Sequence, residues 1–405
     1  MNLNIEEIRN QFPILNQSVN GKPLIYFDNA ATTQKPISLI NAIKKYYEND
    51  NSNIHRGIHT LAERATNAFE ETRKSVQQFV NSKEVEEIIF TKGTTEGINL
   101  VAYSYGEKFI QAGDEIIIST MEHHSNIVPW QILCEKKAAI LKVIPINEEG
   151  ELLMDEFEKM LSSKTKIVSL VWASNALGTI NPIKEIIEKS HAFGAKVLID
   201  AAQAVSHLDV DVQDLNCDFL IFSAHKMYGP TGVGILYGKR ELLESMLPYQ
   251  SGGEMIKEVR FEGTTYNDIP YKFEAGTPNI ADVIALNHAI EFINGISKSK
   301  IRDYENSLLD YFLQLICETN DTIKLYGTSK KKVAIQSFVL KNMHHFDAGM
   351  MLDANGIAVR TGHHCTQPLM SRFRIEGTIR ASFAVYNTKK EIDVLVESLI
   401  KISKK

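Results

Sequence analysis

Several features that would assign a protein to a special class are absent from this sequence. Its four cysteines, Cys134, Cys217, Cys317 and Cys365, are widely spaced and form no CxxC pair, which argues against a disulfide framework and a zinc ribbon. No apolar run approaches the roughly 18 residues of a membrane-spanning helix. The N-terminal segment lacks the basic-then-apolar order of a signal peptide. These absences predict a cytoplasmic protein with free thiols and no membrane contact.

An excess of positive charge is also lacking. The chain has 405 residues, and its 44 Lys plus Arg are outnumbered by 50 Asp plus Glu, for a net charge of −6. A protein without a broad basic surface is not expected to bind nucleic acid, whereas a small anionic substrate needs only a local basic pocket. A single core usually stops growing near about 250 to 300 residues. The length therefore predicts two domains, or one large domain with a smaller partner.

Short β-branched or aromatic runs alternate with helical patterns between residues 87 and 237, which is the order typical of an α/β protein. One helical pattern covers residues 61–80. The predicted strands are 88–90, 115–119, 140–145, 167–172, 197–199 and 219–222. Residues 232–237 predict a further, antiparallel strand at an edge of the sheet.

The stretch 251–278 has a different composition, with Gly252-Gly253, Gly263 and Pro270 interrupting any regular pattern. It is predicted to be a long functional loop. A second domain is predicted to begin near Gly295, with strands at 335–340 and 379–385. The last helix is predicted to begin after the capping box Thr388-Lys-Lys-Glu391.

Polar residues follow several predicted strands, at the edge where open α/β sheets bind ligands. Gly93-Thr94-Thr95 is either a helix N-cap or a phosphate site at a helix start. Asp200 is the last residue of an apolar strand. Its role is either that of a helix N-cap or that of a partner for a protonated heterocyclic nitrogen. Lys226 is either a surface lysine or an amine that forms a Schiff base.

Two adjacent histidines, His123 and His124, follow another strand. They could be metal ligands or part of a capped loop, but they lack a metal-ligand spacing with nearby carboxylates or thiols, so no metal site is predicted. Together the strand ends fit pyridoxal phosphate. Lys226 would hold the aldehyde carbon, Asp200 would keep the ring nitrogen protonated, a helix start would bind the phosphate, and His123 would stack on the ring.

Eight motifs follow one another along almost the whole chain: YFDNAATT at 26–33, HRG at 55–57, GTT at 93–95, EHHSN at 122–126, DAAQ at 200–203, SAHK at 223–226, GTP at 276–278 and RTGHHC at 360–365. Together they resemble the class V aminotransferase family of fold-type I enzymes. The last motif resembles the Suf-type, group II cysteine desulfurases rather than the NifS or IscS type, whose cysteine lies in a longer serine-rich loop.

The resemblance implies a fold-type I, pyridoxal phosphate-dependent transferase of the α/β class. We expect a mostly parallel seven-stranded sheet in a large cofactor-binding domain, residues 18–291. A smaller α+β domain, residues 1–17 and 292–405, would carry the Cys365 loop. A homodimer with composite active sites is also implied, because in this family the residue at Thr277 reaches the cofactor phosphate from the other subunit.

Roles for individual residues follow from the resemblance. The catalytic residues would be Lys226 as Schiff-base lysine and base, Cys365 as nucleophile, and His123 as ring-stacking and proton-exchanging residue. Cofactor contacts are expected from Thr95, Asn175, Asp200, Gln203, Ser223, His225, Lys226 and Thr277. Substrate contacts are expected from Ala30, His55, Asn175, Arg360 and Arg380. The polar, turn-forming neighbours of Cys365 independently favour an exposed, reactive thiol.

The implied reaction converts L-cysteine to L-alanine and leaves a persulfide on Cys365. The sulfur would pass to a SufE-like or SufU-like acceptor for iron-sulfur cluster assembly, and the sequence does not choose between the two. His344 and His345 could serve a zinc-dependent SufU-type partner, or they could simply be solvated. Three other functions stay open: a selenocysteine lyase with the same site, a non-catalytic sulfur-carrier or scaffold subunit, and a plain aminotransferase.

Overall fold

The computed structural model describes residues 3–318 and 322–404. The strands are β1 (Ser18–Val19), β2 (Lys22–Pro23), β3 (Ile25–Tyr26), β4 (Ile88–Thr91), β5 (Glu115–Ser119), β6 (Ile140–Ile144), β7 (Thr165–Val171), β8 (Lys196–Asp200), β9 (Phe219–Ser223), β10 (Gly234–Gly238), β11 (Ile256–Arg260), β12 (Gly263–Tyr266), β13 (Ile323–Tyr326), β14 (Ile335–Leu340), β15 (Ile357–Ala358), β16 (Arg360–Gly362) and β17 (Thr378–Ser382).

Helices cover the faces of the sheets. They are α1 (Ile5–Arg9), α2 (Ile37–Lys45), α3 (Thr60–Val80), α4 (Thr94–Val101), α5 (Glu107–Phe109), α6 (Val128–Lys137), α7 (Met154–Met160), α8 (Ile183–Ala192), α9 (Val212–Leu215), α10 (Arg240–Ser245), α11 (Ile280–Ile296), α12 (Lys298–Cys317), α13 (His345–Asp353), α14 (Gln367–Phe373) and α15 (Lys389–Ser403). Within the described residues, none is long and apolar enough to cross a membrane.

The large sheet has seven strands in the described residues, in the order β4-β10-β9-β8-β7-β5-β6. Strands β5 to β9 are parallel, and β10 runs antiparallel to both of its neighbours. Alternate side chains enter two separate cores, so that Ile235 packs in one and Leu236 in the other. This period of two follows from the pleat of a strand buried on both faces. The mostly parallel seven-stranded sheet expected from the sequence is confirmed.

The position of β10 differs from the prediction. Its antiparallel direction is confirmed, but β10 lies between β4 and β9, and the edges of the sheet are β4 and β6. All five residues of β10 are buried, whereas β6 is partly exposed. Gly234 allows the close pairing, because a Cβ there would lie 2.4 Å from the Cα of Gly93.

The predicted loop at 251–278 is also partly wrong. It contains the antiparallel hairpin of β11 and β12 and a short 3-10 helix, Tyr271–Phe273. The β-branched residues Val259, Thr264 and Thr265 favour the strands. Every residue of the hairpin except the partly buried Ile256 is exposed, so the sequence shows no burial pattern that would predict it.

A smaller antiparallel sheet, β13-β14-β17-β16, packs with α12, α13 and α15 around its own core. The last helix begins after Thr388 with the predicted capping box. The N-terminal segment contributes to both cores, since Phe12 packs in the core of the large sheet and Phe27 in the smaller one. The domain boundaries therefore stay a prediction.

Candidate active site

A cavity of about 210 Å³ opens where the parallel strands of the large sheet end. Every site residue predicted from the sequence lines this cavity except His55 and Thr277. The elements that meet there include the ends of β8 and β9, the start of α4 and the strands β16 and β17 of the smaller sheet. The fold thus brings residues from both ends of the chain to one place.

Lys226 reaches the cavity because β9 ends at Ser223 and a single 3-10 turn, Ala224–Lys226, follows. Burial lowers the pKa of Lys226 to about 8, although the nearby Asp200 carboxylate opposes the shift. Asp200 is the last residue of β8 and is 2% exposed. One carboxylate oxygen accepts the Ala202 N–H at 2.9 Å. Burial raises the pKa of Asp200, so a cation opposite it would stabilise its charged form.

The start of α4 is polar, and its role as a phosphate site stays a prediction. Gly93 precedes the helix with a φ of 155°. The Thr94 N–H donates to the Ser223 hydroxyl oxygen at 2.8 Å, and the two hydroxyls are also 2.8 Å apart. Thr95 and His225 line the same end of the cavity. Because burial lowers the pKa of His225 to about 4, its ring is neutral at pH 7 and can donate one N–H.

His123 has a defined protonation state. Its Nδ1 lies 2.8 Å from the Ser125 hydroxyl and accepts the Ser125 N–H at 3.1 Å. Since Nδ1 accepts a backbone hydrogen, the ring hydrogen is on Nε2. Burial, with a contribution from the nearby Lys226, lowers the pKa of His123 to about 3. The cavity therefore contains a neutral imidazole with one N–H to donate.

Glu122, the residue before His123, forms a buried hydrogen-bond network that its sequence position alone did not predict. Glu122 is fully buried and accepts hydrogen bonds from the Asn126 amide at 2.7 Å and the Val171 N–H at 2.9 Å. Its other oxygen lies 2.5 Å from the Ser119 hydroxyl. Burial raises the pKa of Glu122 to about 8. This carboxyl links the end of β5 to β7, and only its position within the EHHSN motif hinted at a role.

Two arginines create a positive wall. Arg360 on β16 and Arg380 on β17 are directly paired. Like charges in such a pair destabilise the sheet unless an anion lies between them. Arg380 is 2% exposed. Its Nη1 donates to the Asn175 carbonyl oxygen and its Nη2 to Asp28, both at 2.9 Å. Its Nε is buried without a partner among the described residues. The wall is suited to an anionic ligand such as a carboxylate.

Cys365 lies in a short loop between β16 and α14. His364 and Cys365 both adopt left-handed backbone conformations, with φ values of 52° and 57°. The loop is tied to the segment that follows β5, because the His124 N–H donates to the Cys365 carbonyl oxygen at 2.8 Å. The Cys365 N–H donates to His363 Nδ1 at 3.1 Å. These bonds hold the backbone of Cys365 beside the cavity that the residue lines.

The other three cysteines have different surroundings. Cys134 and Cys217 are buried and Cys317 is exposed, while Cys365 is half-buried. Burial raises the pKa of Cys134 to about 11 and that of Cys217 further. Of the four, only Cys365 lines the cavity. The reactive role expected for Cys365 stays a prediction.

The cavity fits pyridoxal phosphate and a small amino acid by the chemistry of its donor set. An amine, a buried carboxylate, a neutral imidazole and a hydroxyl-rich helix start are all present. Asn175 Oδ1 and Arg380 Nε are buried without partners in the described part of the chain. Such orphaned polar atoms are costly unless a ligand satisfies them.

His55 and Thr277 lie outside this cavity. His55 Nε2 is 2.8 Å from a carboxylate oxygen of Glu70. Thr277 lines a separate cavity of about 140 Å³. The roles expected for these two residues stay predictions. Among the described residues no group of three or more His, Cys, Asp or Glu side chains could hold a metal ion.

Comparisons with known proteins identify the family of this chain. The family model described as "Aminotransferase class-V" matches residues 25–395. The cysteine desulfurase of Synechococcus elongatus is 51% identical over 398 residues, which are 98% of this chain and 63% of the relative. The chain therefore spans less than two thirds of that relative's length. The cysteine desulfurase of Dickeya dadantii is 49% identical, over 98% of this chain and 96% of the relative.

A solved structure extends the comparison to the fold. The Escherichia coli cysteine desulfurase CsdA superposes with a TM-score of 0.92 and 36% identity, covering 99% of each chain. Enzymes of the class-V family depend on pyridoxal phosphate, which is the cofactor that the sequence predicts. With its family model, its relatives and its fold in agreement, this chain belongs to the class-V aminotransferase family.

Proposed function

We propose that this protein is a cysteine desulfurase that converts L-cysteine to L-alanine and leaves the sulfur on Cys365. One observation carries the proposal: Lys226, Cys365 and the arginine pair Arg360 and Arg380 line a single cavity. The amino group, the thiol and the carboxylate of one small substrate can then each be contacted by a residue of the same cavity. The names of the relatives support the same activity.

The substrate carboxylate would bind at the arginine wall. Arg380 is already oriented by Asp28 and by the Asn175 carbonyl, and its unpartnered Nε is free to donate. Fixed donors reduce the entropy lost on binding. This arrangement would place the substrate Cα toward Lys226.

Lys226 would act as the base. A pKa of about 8 leaves a substantial neutral fraction near neutral pH, so the amine can accept the Cα proton of the substrate. When bound, pyridoxal phosphate supplies an aldehyde carbon and a ring that accepts the electron pair left at Cα. Asp200 would keep the ring nitrogen protonated. The positive charge on that nitrogen would in turn offset the cost of burying the Asp200 carboxylate.

Cys365 would then attack the substrate sulfur as a thiolate. A bond forms between the two sulfurs, the bond between Cβ and sulfur breaks, and its electron pair stays with the carbon that becomes alanine. His123, with its hydrogen on Nε2, would exchange a proton with the substrate thiol. The product on the enzyme is a persulfide at Cys365.

A Cys365→Ala variant tests the assignment. It should lose alanine formation from L-cysteine while binding pyridoxal phosphate with unchanged absorbance, because the thiol is not among the expected cofactor contacts. Cys317→Ala, which removes an exposed thiol, is the matched control and should retain full turnover. Undiminished alanine formation by the Cys365 variant would overturn the proposal. Relative turnover of cysteine and selenocysteine would decide between desulfurase and selenocysteine lyase.

The subgroup, the assembly and the partners form part of the same proposal. The Cys365 loop is short, running only from the end of β16 at Gly362 to the start of α14 at Gln367, which supports a Suf-type, group II enzyme. Thr277 lies outside the candidate active-site cavity of its own chain and lines a separate cavity, which supports a homodimer with composite sites. The half-exposed Cys365 could hand sulfur to a SufE-like or SufU-like acceptor for iron-sulfur cluster assembly in the cytoplasm. Alanine production with each purified acceptor would identify the partner.

A further inference from the structure

Lys226 borders two cavities rather than one. Besides the main cavity, it lines a second, small cavity of about 10 Å³, together with Gln203 and His207. A cavity needs roughly 10 to 15 Å³ to hold a water molecule. The small cavity therefore has room for one water and not for two.

Three side chains around the small cavity each have a polar atom that makes no hydrogen bond within the described residues. Gln203 donates through Nε2 to the Ala30 carbonyl oxygen, and His207 uses Nδ1 for a contact with Glu305. Gln203 Oε1, His207 Nε2 and Lys226 Nζ have no hydrogen-bond partner among residues 3–318 and 322–404. A buried water typically makes about three hydrogen bonds, and the three side chains that line the small cavity can supply them.

His207 is held by a buried carboxylate. Its Nδ1 lies 2.6 Å from Oε2 of Glu305, a residue of α12 that is 1% exposed. The Tyr228 hydroxyl donates to the other oxygen of Glu305 at 3.2 Å. An acceptor beside Nδ1 keeps the ring hydrogen there and leaves a lone pair on Nε2. The His207 side chain is 13% exposed, so it also borders solvent.

We infer that one buried water connects Lys226 to His207, and that His207 receives the proton that Lys226 gives up between catalytic steps. A proton passes from the Lys226 ammonium to the water while one of the water's own protons passes to His207 Nε2. The imidazolium that forms is stabilised by the Glu305 carboxylate, and the reverse transfer restores Lys226. The inference rests on the proposed function, because only a lysine that takes and returns protons needs such a path.

A crystal structure of the cofactor-free protein tests the water directly. We expect one ordered water within hydrogen-bond distance of Lys226 Nζ, Gln203 Oε1 and His207 Nε2. A dry cavity, or a cavity closed by a side chain, would overturn the inference. This readout does not depend on catalysis, so it stays valid even if the proposed function fails.

An isotope experiment tests the proton path. L-Cysteine deuterated at Cα is converted in ordinary water, and the deuterium retained in the alanine is measured by mass spectrometry. The natural enzyme should lose most of the label, since Lys226 exchanges with solvent through His207. His207→Gln keeps a polar side chain that cannot take up a proton, and it should raise the retained fraction severalfold.

The control for this experiment is His191→Gln. His191 is likewise paired with a buried carboxylate, since its Nε2 lies 2.7 Å from Asp218, but it does not line either cavity. Label retention in the control should equal that of the natural enzyme. Equal retention in the His207 variant would refute the path, whereas a natural enzyme that forms no alanine would refute the proposed function instead.

Discussion

The side-chain amide of Asn175 donates a hydrogen bond of 2.8 Å to the backbone carbonyl oxygen of His364, the residue before Cys365. The two residues are 189 positions apart in the chain. This bond joins the end of the large sheet to the loop of the proposed nucleophile, and the Asn175 carbonyl oxygen in turn holds Arg380. One asparagine thus positions both the thiol and the carboxylate site.

Replacing Asn175 with Ala should slow alanine formation on the order of 100-fold, the cost of displacing a reacting group by about 1 Å. The loss should fall on kcat more than on pyridoxal phosphate binding, because the loop would lose its anchor. Steady-state kinetics and a cofactor titration check this, with thermal unfolding followed in parallel. Normal kcat in a folded variant would contradict the role assigned to Asn175.

Arg380→Lys keeps the charge but cannot reproduce three separate donors. Charge-assisted hydrogen bonds contribute about 1.5 to 3 kcal/mol each, so we expect kcat/KM for L-cysteine to fall roughly 10- to 150-fold, mainly through KM. Arg372→Lys is a suitable control, because Arg372 pairs with the exposed Glu148 and does not line the cavity. Equal KM values for the two variants would argue against a carboxylate contact at Arg380.

The rate at which the cofactor-free protein takes up pyridoxal phosphate should rise with pH through about 8, the lowered pKa of Lys226. The neutral amine is the reactive form, and an ordinary lysine would show this rise near its usual value of about 10.4. Removing the nearby charge with Asp200→Asn should move the midpoint lower, since Asp200 raises the pKa of Lys226. Stopped-flow absorbance measures the rate, and an unmoved midpoint would contradict the coupling.

Glu122 makes folding stability depend on pH in a defined direction. Burial raises its pKa to about 8 in the folded state, whereas an unfolded glutamate titrates near 4.3. Between these values the folded chain holds one more proton than the unfolded chain, so this residue lowers stability as pH rises from about 4.3 to 8.

Glu122→Gln removes the titration. The variant should gain stability relative to the natural protein on going from pH 5 to pH 8. Urea denaturation at both pH values, without added cofactor, measures the change. If the free energies of unfolding of the two proteins differ by the same amount at pH 5 and at pH 8, Glu122 is ionised in the folded state.

Much of the fold could be predicted from local pattern. Residues 115–119 form a strand with the predicted ends, and the other predicted strands of the large sheet differ by one or two residues at their ends. The exposed hairpin at β11 and β12 was missed, because neither face is buried and its residues therefore lack the alternation that marks a strand. The interior place of β10 was missed because strand order depends on pairing between distant segments.

The sequence by itself determined the α/β class, the family, and the positions of Asp200, Lys226 and Cys365 in their motifs. Those features depend on local conformational preference and on residue types at short spacing, which a chain displays before it folds. Only the tertiary structure decided that Arg380 pairs with Asp28, 352 positions away, and that His207 meets Glu305 on α12. Such contacts arise when packing brings separate elements together, and the spacing of residues along the chain does not record them.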